Sequence, residues 1–237
     1  MKKLSLFAKF MQSSFFYIFL FVLVGVLSLH VSVSAEEKAV NQTVSINLML
    51  SEKKCTLAIW LTDAEGAFVD TVYVTRKVAQ KGLGNRGGKL DDKWGGSRLS
   101  MLPVWAYYRG IDYGNDNFYP PKDKPLPDAI TSATPKAGEF IWNWNPKDPL
   151  KQGRYFYYIE VNKSFDKNDN HDYSWYRGQP SVIWKGSFLV GDKFNESEAE
   201  IIGHGEIAGK NGQIFPDITT LTSSLKLIEK VTASFKP

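Results

Sequence analysis

The sequence predicts an all-β protein, a single-domain antiparallel β-sandwich that follows an N-terminal signal peptide. Apolar residues recur at every second position, which is the period of a strand with one buried face. The β-rich runs are short and are separated by Gly, Pro, Asn and Asp. The 237 residues are 43% hydrophobic and include 7 Trp, 11 Tyr and 15 Phe, which is ample material for one core.

The N-terminal segment has the features of an export signal. Three lysines lie within the first nine residues, and an apolar run follows over residues 15–29. That run is shorter than the about 20 residues of a membrane span, and Ala35 ends a stretch of small and apolar residues before two glutamates. We therefore expect residues 1–35 to be a cleaved signal peptide and residues 36–237 to form a periplasmic domain. A retained membrane anchor is the alternative.

Charge and reactive side chains narrow the classes of function. Removal of residues 1–35 takes away three lysines and no acidic residue, which leaves 26 basic and 25 acidic side chains. A nearly neutral exported chain is not expected to bind nucleic acid. Cys55 is the only cysteine, so an internal disulfide and a thiolate zinc cluster are excluded. The mature chain keeps only His171 and His204, and we expect neither a catalytic set nor a metal site.

The strands are predicted from the alternating runs in chain order. The turn Asp63–Gly66 joins two of these runs into a hairpin. The residues 198–207 and 224–235 are weaker β candidates, and residues 221–230 are also compatible with a short helix. The clear strands are expected at residues 44–50, 56–61, 68–74, 140–144, 155–161 and 180–190.

Two long segments, residues 80–101 and 112–135, interrupt the strands. The first contains six glycines and the second is rich in Pro, Asp and Asn. Long irregular segments in compact domains are often functional, so we expect a partner surface on these two segments. Within the first, Gly82–Gly87 matches G-x-G-x-x-G, but no helix follows and a flexible loop is favoured over nucleotide binding.

Two further patterns have a structural and a functional interpretation. Asp166, Asn168 and Asn170 have calcium-loop spacing, but the sixth and twelfth positions lack the required Gly and acid, so a solvated polar loop is favoured. The aromatic residues at strand spacing are expected in the core rather than on a ring-stacking platform. These are Trp142, Trp144, Tyr155, Tyr157 and Tyr158.

Four motifs follow one another along the chain. They are residues 56–61 (an A-x-W strand), 102–105 (L-P-x-W), 128–135 (D-A-I-T-S-A-T-P) and 153–160 (G-x-Y-x-x-x-x-E). In this order they resemble the family of predicted periplasmic proteins known as domain of unknown function 2271. The resemblance covers residues 43–190, with residues 191–237 as a C-terminal β extension, and the W-x-W and G-x-Y part also resembles the Ig-like module of flagellar hook-cap proteins. Both resemblances imply an Ig-like β-sandwich.

The resemblance also implies an association with envelope redox systems that contain flavin transferases and PepSY-type membrane proteins. Domains that carry covalent FMN present D-x-x-[ST]-G-A-T, with the flavin phosphate on the last threonine. Residues 128–134 match this pattern except that Ser132 replaces the glycine. The implied cofactor residues are Thr134, Asp128 and Thr131. The alternative is a structural turn in which Asp128 accepts backbone hydrogen bonds.

Together these observations favour a non-catalytic binding or accessory module of an envelope redox or metal-uptake system. One alternative is an electron carrier with FMN on Thr134. The other is a domain that binds carbohydrate or the envelope surface through exposed Trp94, Trp175 or Tyr176.

Overall fold

The computed structural model describes residues 42–51, 55–85, 98–127, 130–133, 135–172 and 178–237. The predicted signal peptide, residues 1–35, lies outside the described residues. The described residues form ten strands in two sheets, which confirms the predicted all-β sandwich. Each clear predicted strand has an observed counterpart whose bounds differ by at most a few residues.

One sheet has four strands and the other has six. The four-stranded sheet has the order β5-β1-β10-β8, formed by Gly138–Trp144, Thr43–Leu50, Ile228–Lys236 and Asn195–Glu198. The six-stranded sheet has the order β4-β3-β2-β6-β7-β9, formed by Thr131–Ser132, Phe68–Thr75, Thr56–Thr62, Gly153–Asn162, Val182–Val190 and Glu200–His204. Every described pairing is antiparallel except the short β3–β4 pair.

Each of the two weakly predicted regions contains parts of two secondary-structure elements. The region 198–207 contains the end of β8 and all of β9, and the chain changes sheets at Ala199, whose N–H bonds to the carbonyl of Val231. The region 224–235 begins in a 3-10 turn, Ser223–Lys226, and continues as β10. The strand prediction is therefore confirmed for residues 228–235, while the helix considered for residues 221–230 is reduced to this one 3-10 turn.

The main core lies between the two sheets. Alternation is clear in β1, where Val44, Ile46, Leu48 and Leu50 are buried while the residues between them are half-buried or exposed. The predicted core aromatics are confirmed for Trp144, Tyr155, Tyr157 and Tyr158, which are all buried. Trp142 is half-buried on the same face of β5, and its Nε1–H donates to the carbonyl of Val72 in the opposite sheet.

A second core covers the outer face of the six-stranded sheet. Strand β2 is buried at all seven positions because it is covered on both faces. The covering layer includes two short helices, α1 (Arg76–Ala79) and α2 (Pro103–Tyr108). Its buried residues include Ala58, Trp60, Val74, Val104, Trp105 and Tyr119.

The long segments are therefore only partly surface loops. Met101 and Tyr119, which lie within the segments predicted as irregular, are buried in the second core. The Tyr119 hydroxyl donates to the carbonyl of Leu99 and accepts from the N–H of Leu102, so one aromatic residue holds the turn before α2. The expectation missed this because strand periodicity has no pattern for an irregular layer on a sheet face.

Replacing Leu48 by Ala should test the main core. Leu48 is completely buried in β1, and such a truncation costs about 2–5 kcal/mol of unfolding free energy. The control Ser45→Ala changes the outer face of the same strand and should cost far less. Urea unfolding followed by tryptophan fluorescence measures both. Equal losses in the two variants would contradict the assignment of the strand faces.

Candidate functional site

The strand β6 carries a completely buried carboxyl group, Glu160, against the beginning of α2. Its Oε2 accepts from the N–H of Trp105 at 2.7 Å, and its Oε1 accepts from the N–H of Val104 at 3.2 Å. The hydroxyl of Ser181 donates to Oε1 at 2.6 Å. These three donors satisfy the oxygens of the carboxylate in an apolar layer, and they attach the helix to the sheet.

Burial controls the protonation of this group. Desolvation raises the pKa of Glu160 to about 7, while the hydrogen bonds from Ser181, Trp105 and Val104 oppose that rise. Gly205 packs against the same carboxyl group, since a Cβ there would lie 3.2 Å from Oε1 and 2.5 Å from the Ser181 Oγ. The glycine beside His204 therefore permits a close backbone approach.

Helix α2 begins beside the carboxyl group of Glu160 and ends beside a cavity at the edge of the sandwich. The Nε1–H of Trp105 donates to the Thr71 Oγ1 at 3.1 Å, which fixes the indole against β3. The guanidinium of Arg109 lies over the Trp105 ring at 5.0 Å and also donates to the carbonyl of Phe118 and the hydroxyl of Tyr113. Arg109 is only 9% exposed, so its charge is held in one place before any ligand arrives.

The cavity has a volume of about 480 Å³, within the about 300–1,000 Å³ range of small-molecule sites. It lies between the start of β3, the end of β5 and the segment after α2. Its lining has both apolar and polar residues, and we name the two sets the apolar wall and the polar wall. The apolar wall contains Phe68, Ile111, Leu126, Pro127, Ile130 and Trp144, and the polar wall contains Asp70, Thr71, Arg109, Asn143, Asn145 and Lys147.

Asp70 and Arg109, which carry opposite charges, both line this cavity without forming an ion pair. Among the described ion pairs, none joins Asp70 to Arg109 within 4.0 Å. Burial raises the pKa of Asp70, and the hydrogen bond from the N–H of Thr71 opposes this. A half-buried carboxyl group and a fixed guanidinium in one concave site are arranged to orient a polar ligand.

Two other concavities lie on the six-stranded sheet and its β7–β8 turn. One of about 630 Å³ is lined by Lys185, Glu198 and neighbouring residues, and one of about 560 Å³ is lined by Leu189, Phe194 and the turn. The ammonium of Lys185 lies 4.2 Å from the centre of the Phe156 ring, which occupies it in a cation–π contact. The edge cavity of about 480 Å³ differs from both, because one of its charged groups, the guanidinium of Arg109, is buried and held by contacts within the protein.

Asp70, Arg109 and Glu160 were not predicted from the sequence as site residues. Glu160 entered only as the acid of the G-x-Y-x-x-x-x-E strand and received no role. A charged residue inside an otherwise apolar strand, here Tyr157–Val161, is the signal that could have found it. Asp70 and Arg109 had no comparable signal, since each belongs to a different element.

The residues of the flavin motif are only partly described. Thr131 lies in β4 opposite Val74, is buried, and its Oγ1 has no hydrogen-bond partner within the described part of the chain. Asp128 and Thr134 lie outside the described residues. Pro127 and Ile130, on either side of residues 128–129, line the edge cavity. Trp94, Trp175 and Tyr176, proposed for carbohydrate binding, are also outside the described residues.

The remaining motifs have structural contacts. A Cβ on Gly84 would lie 2.1 Å from the ring of Tyr119, so this glycine makes room for a core aromatic. The carboxylate of Asp166 accepts from Ser223 and Gln179, and the amide of Asn168 donates to the carbonyl of Thr220. These contacts attach the polar loop to the C-terminal segment. Within the described residues, no group of three or more His, Cys, Asp or Glu is placed to hold a metal ion.

In comparisons with known proteins, no family model, no curated protein and no solved structure matches the chain. The resemblance to the family of predicted periplasmic proteins therefore stays a prediction. Across the described residues, no helix has the length and apolar character needed to cross a membrane.

Glu160 should make the stability of the protein depend on pH. Because its folded pKa is raised to about 7 from 4.5, its contribution is fully present below pH 4.5 and is lost as pH rises through 7. The unfolding free energy of the wild type relative to Glu160→Gln should fall by about 3 kcal/mol over this window. Urea unfolding of both proteins between pH 4.5 and 8 measures this difference. The pH-dependent contributions of His171 and Asp70 to the unfolding free energy cancel in it, because both proteins retain these residues.

A second variant checks that the effect belongs to this carboxyl group. Ser181→Ala removes a donor that lowers the pKa of Glu160, so the decline in stability should move to higher pH. A difference between wild type and Glu160→Gln that is flat across the range would contradict the assignment.

Proposed function

We propose that this chain is a non-catalytic binding or accessory module of an envelope redox or metal-uptake system, and that the edge cavity is its ligand-binding site. The cavity with its fixed guanidinium carries this proposal. A group held by Trp105, Tyr113 and Phe118 loses little freedom on binding, which is the arrangement of a preformed site.

The location of the cavity supports a binding role. The predicted partner surface includes residues 112–135, and three residues of that segment, Leu126, Pro127 and Ile130, line the apolar wall. The lining comes from both sheets and from the layer that follows α2, so the site belongs to the folded domain as a whole. The predicted signal peptide supports a role outside the cytoplasm.

The chemistry of the cavity defines the ligand. Arg109 and the exposed Lys147 attract an acidic group, because guanidinium and ammonium groups bind carboxylates and phosphates. Thr71, Asn143 and Asn145 supply neutral hydrogen-bonding groups, and the apolar wall accommodates a hydrocarbon portion. The ligand is therefore a small acidic molecule with an apolar part.

Filling the cavity should abolish binding. Ile111 lines the cavity and is 47% exposed, so Ile111→Trp places a large ring in the site with little effect on the core. The matched control is Leu189→Trp, since Leu189 is 50% exposed and lies on β7 away from this cavity. The probes are mono- and dicarboxylates, amino acids and inorganic phosphate, and thermal shift with native mass spectrometry is the measurement.

At least one probe should raise the melting temperature of the wild type and of Leu189→Trp, because a ligand that binds only the folded state stabilises it. The same probe should leave Ile111→Trp unchanged. The proposal fails when no probe shifts the wild type, or when Ile111→Trp responds as the wild type does.

One observation favours a second function, an electron carrier with covalent FMN on Thr134. The residue before it, Ala133, is exposed, and the segment that contains Asp128 is flanked by two cavity residues, Pro127 and Ile130. Thr131 is buried in β4, so in this alternative it shapes the segment and does not contact the cofactor.

Co-expression with a flavin transferase from the same host tests this alternative. The intact mass should increase by one FMN less one water, and the yellow colour should survive denaturation. Thr134→Ala should remove both signals, while Ser132→Ala, which keeps the hydroxyl of Thr134, should retain them. A colourless protein without added mass rejects this function and leaves the binding module in place.

A further inference from the structure

The four sheet edges of the sandwich are not equally protected against pairing with another chain. Unpaired strand edges attract further strands, and soluble proteins block them with short strands, charges, bulges or a covering segment. Strand β4 has only two residues. Strand β9 is covered at its last residue, since His204 and Phe215 exchange two backbone hydrogen bonds at 2.9 Å.

The two edges of the four-stranded sheet differ most. Strand β8 has four residues, and its side chains Glu196 and Glu198 are exposed. Strand β5 has seven residues, Gly138–Trp144, and pairs with β1 along its whole length without a bulge. In the described part of the chain, no backbone hydrogen bond reaches β5 from any segment except β1. The strand has no proline and a single charge, Glu139.

We propose that β5 pairs antiparallel with β5 of a second copy of this chain, so that the two four-stranded sheets join into one sheet of a symmetric dimer. A two-fold axis at Ile141, the midpoint of the strand, pairs all seven residues. A shift of one residue would place buried-facing residues against outward-facing ones, and a shift of the axis to Phe140 or Trp142 leaves residues unpaired.

The side chains match on both faces in this arrangement. On the outer face, Glu139 lies opposite Asn143 of the partner subunit, and Ile141 meets its own copy. On the inner face, Phe140 lies opposite Trp142 of the partner subunit, and Trp144 lies opposite Gly138 of the partner subunit, which leaves space for the indole. Cross-strand aromatic and apolar pairs stabilise a sheet, and no like charges meet.

The exposure of side chains on β5 also supports pairing with a second copy of the chain. Ile141 is 53% exposed although it is aliphatic and lies at the centre of the edge strand, and Phe140 and Trp142 are only half-buried. A second copy would cover these side chains and would supply main-chain partners for the edge of β5 that has none among the described residues.

A cross-link at the axis is the direct test. Residues opposite each other in an antiparallel pair have Cα atoms about 4.5–5.5 Å apart, which a disulfide can span. Ile141→Cys in the full exported chain should therefore form a disulfide-linked dimer under mild oxidation. Thr232→Cys, on the same face but in β10 between two strands, should not. The native Cys55 is 2% exposed and is present in both variants.

Light scattering coupled to size exclusion supplies the second measurement. The wild type should have the mass of two chains, and Ile141→Lys should have the mass of one, because it places like charges opposite each other at the axis. Leu189→Lys, an exposed aliphatic residue on the other sheet, should remain a dimer. A wild type that is monomeric at all concentrations overturns the proposal, as does a dimer that survives Ile141→Lys.

Discussion

The hydrogen bonds to Glu160 attach the covering layer that contains α2 to the six-stranded sheet, together with the bond from the Trp105 Nε1–H to the Thr71 Oγ1. The carboxyl group lies on β6, in the middle of the six-stranded sheet, and receives the first N–H groups of α2. Helix α2 is only six residues long, too short to be stable by itself. Its position therefore depends on this carboxyl group, on Trp105 and on the Tyr119 hydroxyl, and Arg109 takes its place at the edge cavity because α2 is fixed.

The attachment of α2 through Glu160 depends on whether the carboxyl group of that residue is protonated. A buried carboxyl group is expensive to ionise, yet three donors point at it, and the two effects leave its pKa near neutrality. The same protein thus uses a polar group in a layer where an apolar residue would pack without any titration. The carboxyl group fixes where α2 begins and how it is oriented, because the N–H groups at the beginning of a helix need a hydrogen-bond acceptor, which an apolar residue does not have.

Much of the sandwich could be predicted from the residues because strand periodicity is local. The alternation in β1 and the hairpin around Asp63–Gly66 are each decided by a few adjacent side chains. The covering layer was not predictable in the same way, since Met101, Trp105 and Tyr119 show no common period and meet only through the fold. The cavity residues were missed for the same reason, as Asp70, Arg109 and Asn143 come from three separate elements.

The pairing of β1 with β10 determines when the four-stranded sheet can be completed during synthesis of the chain. These two strands are the first and last strands that the structure describes, and they are neighbours in the middle of the four-stranded sheet. Until residues 228–236 are available, β1 and β5 can pair only with each other, and β8 has no strand beside it. A chain whose residues 228–236 are still inside the ribosome or a membrane pore is therefore unable to complete this sheet. Pairing over such a long sequence separation is slow, which suits a chain whose first residues are predicted to direct export.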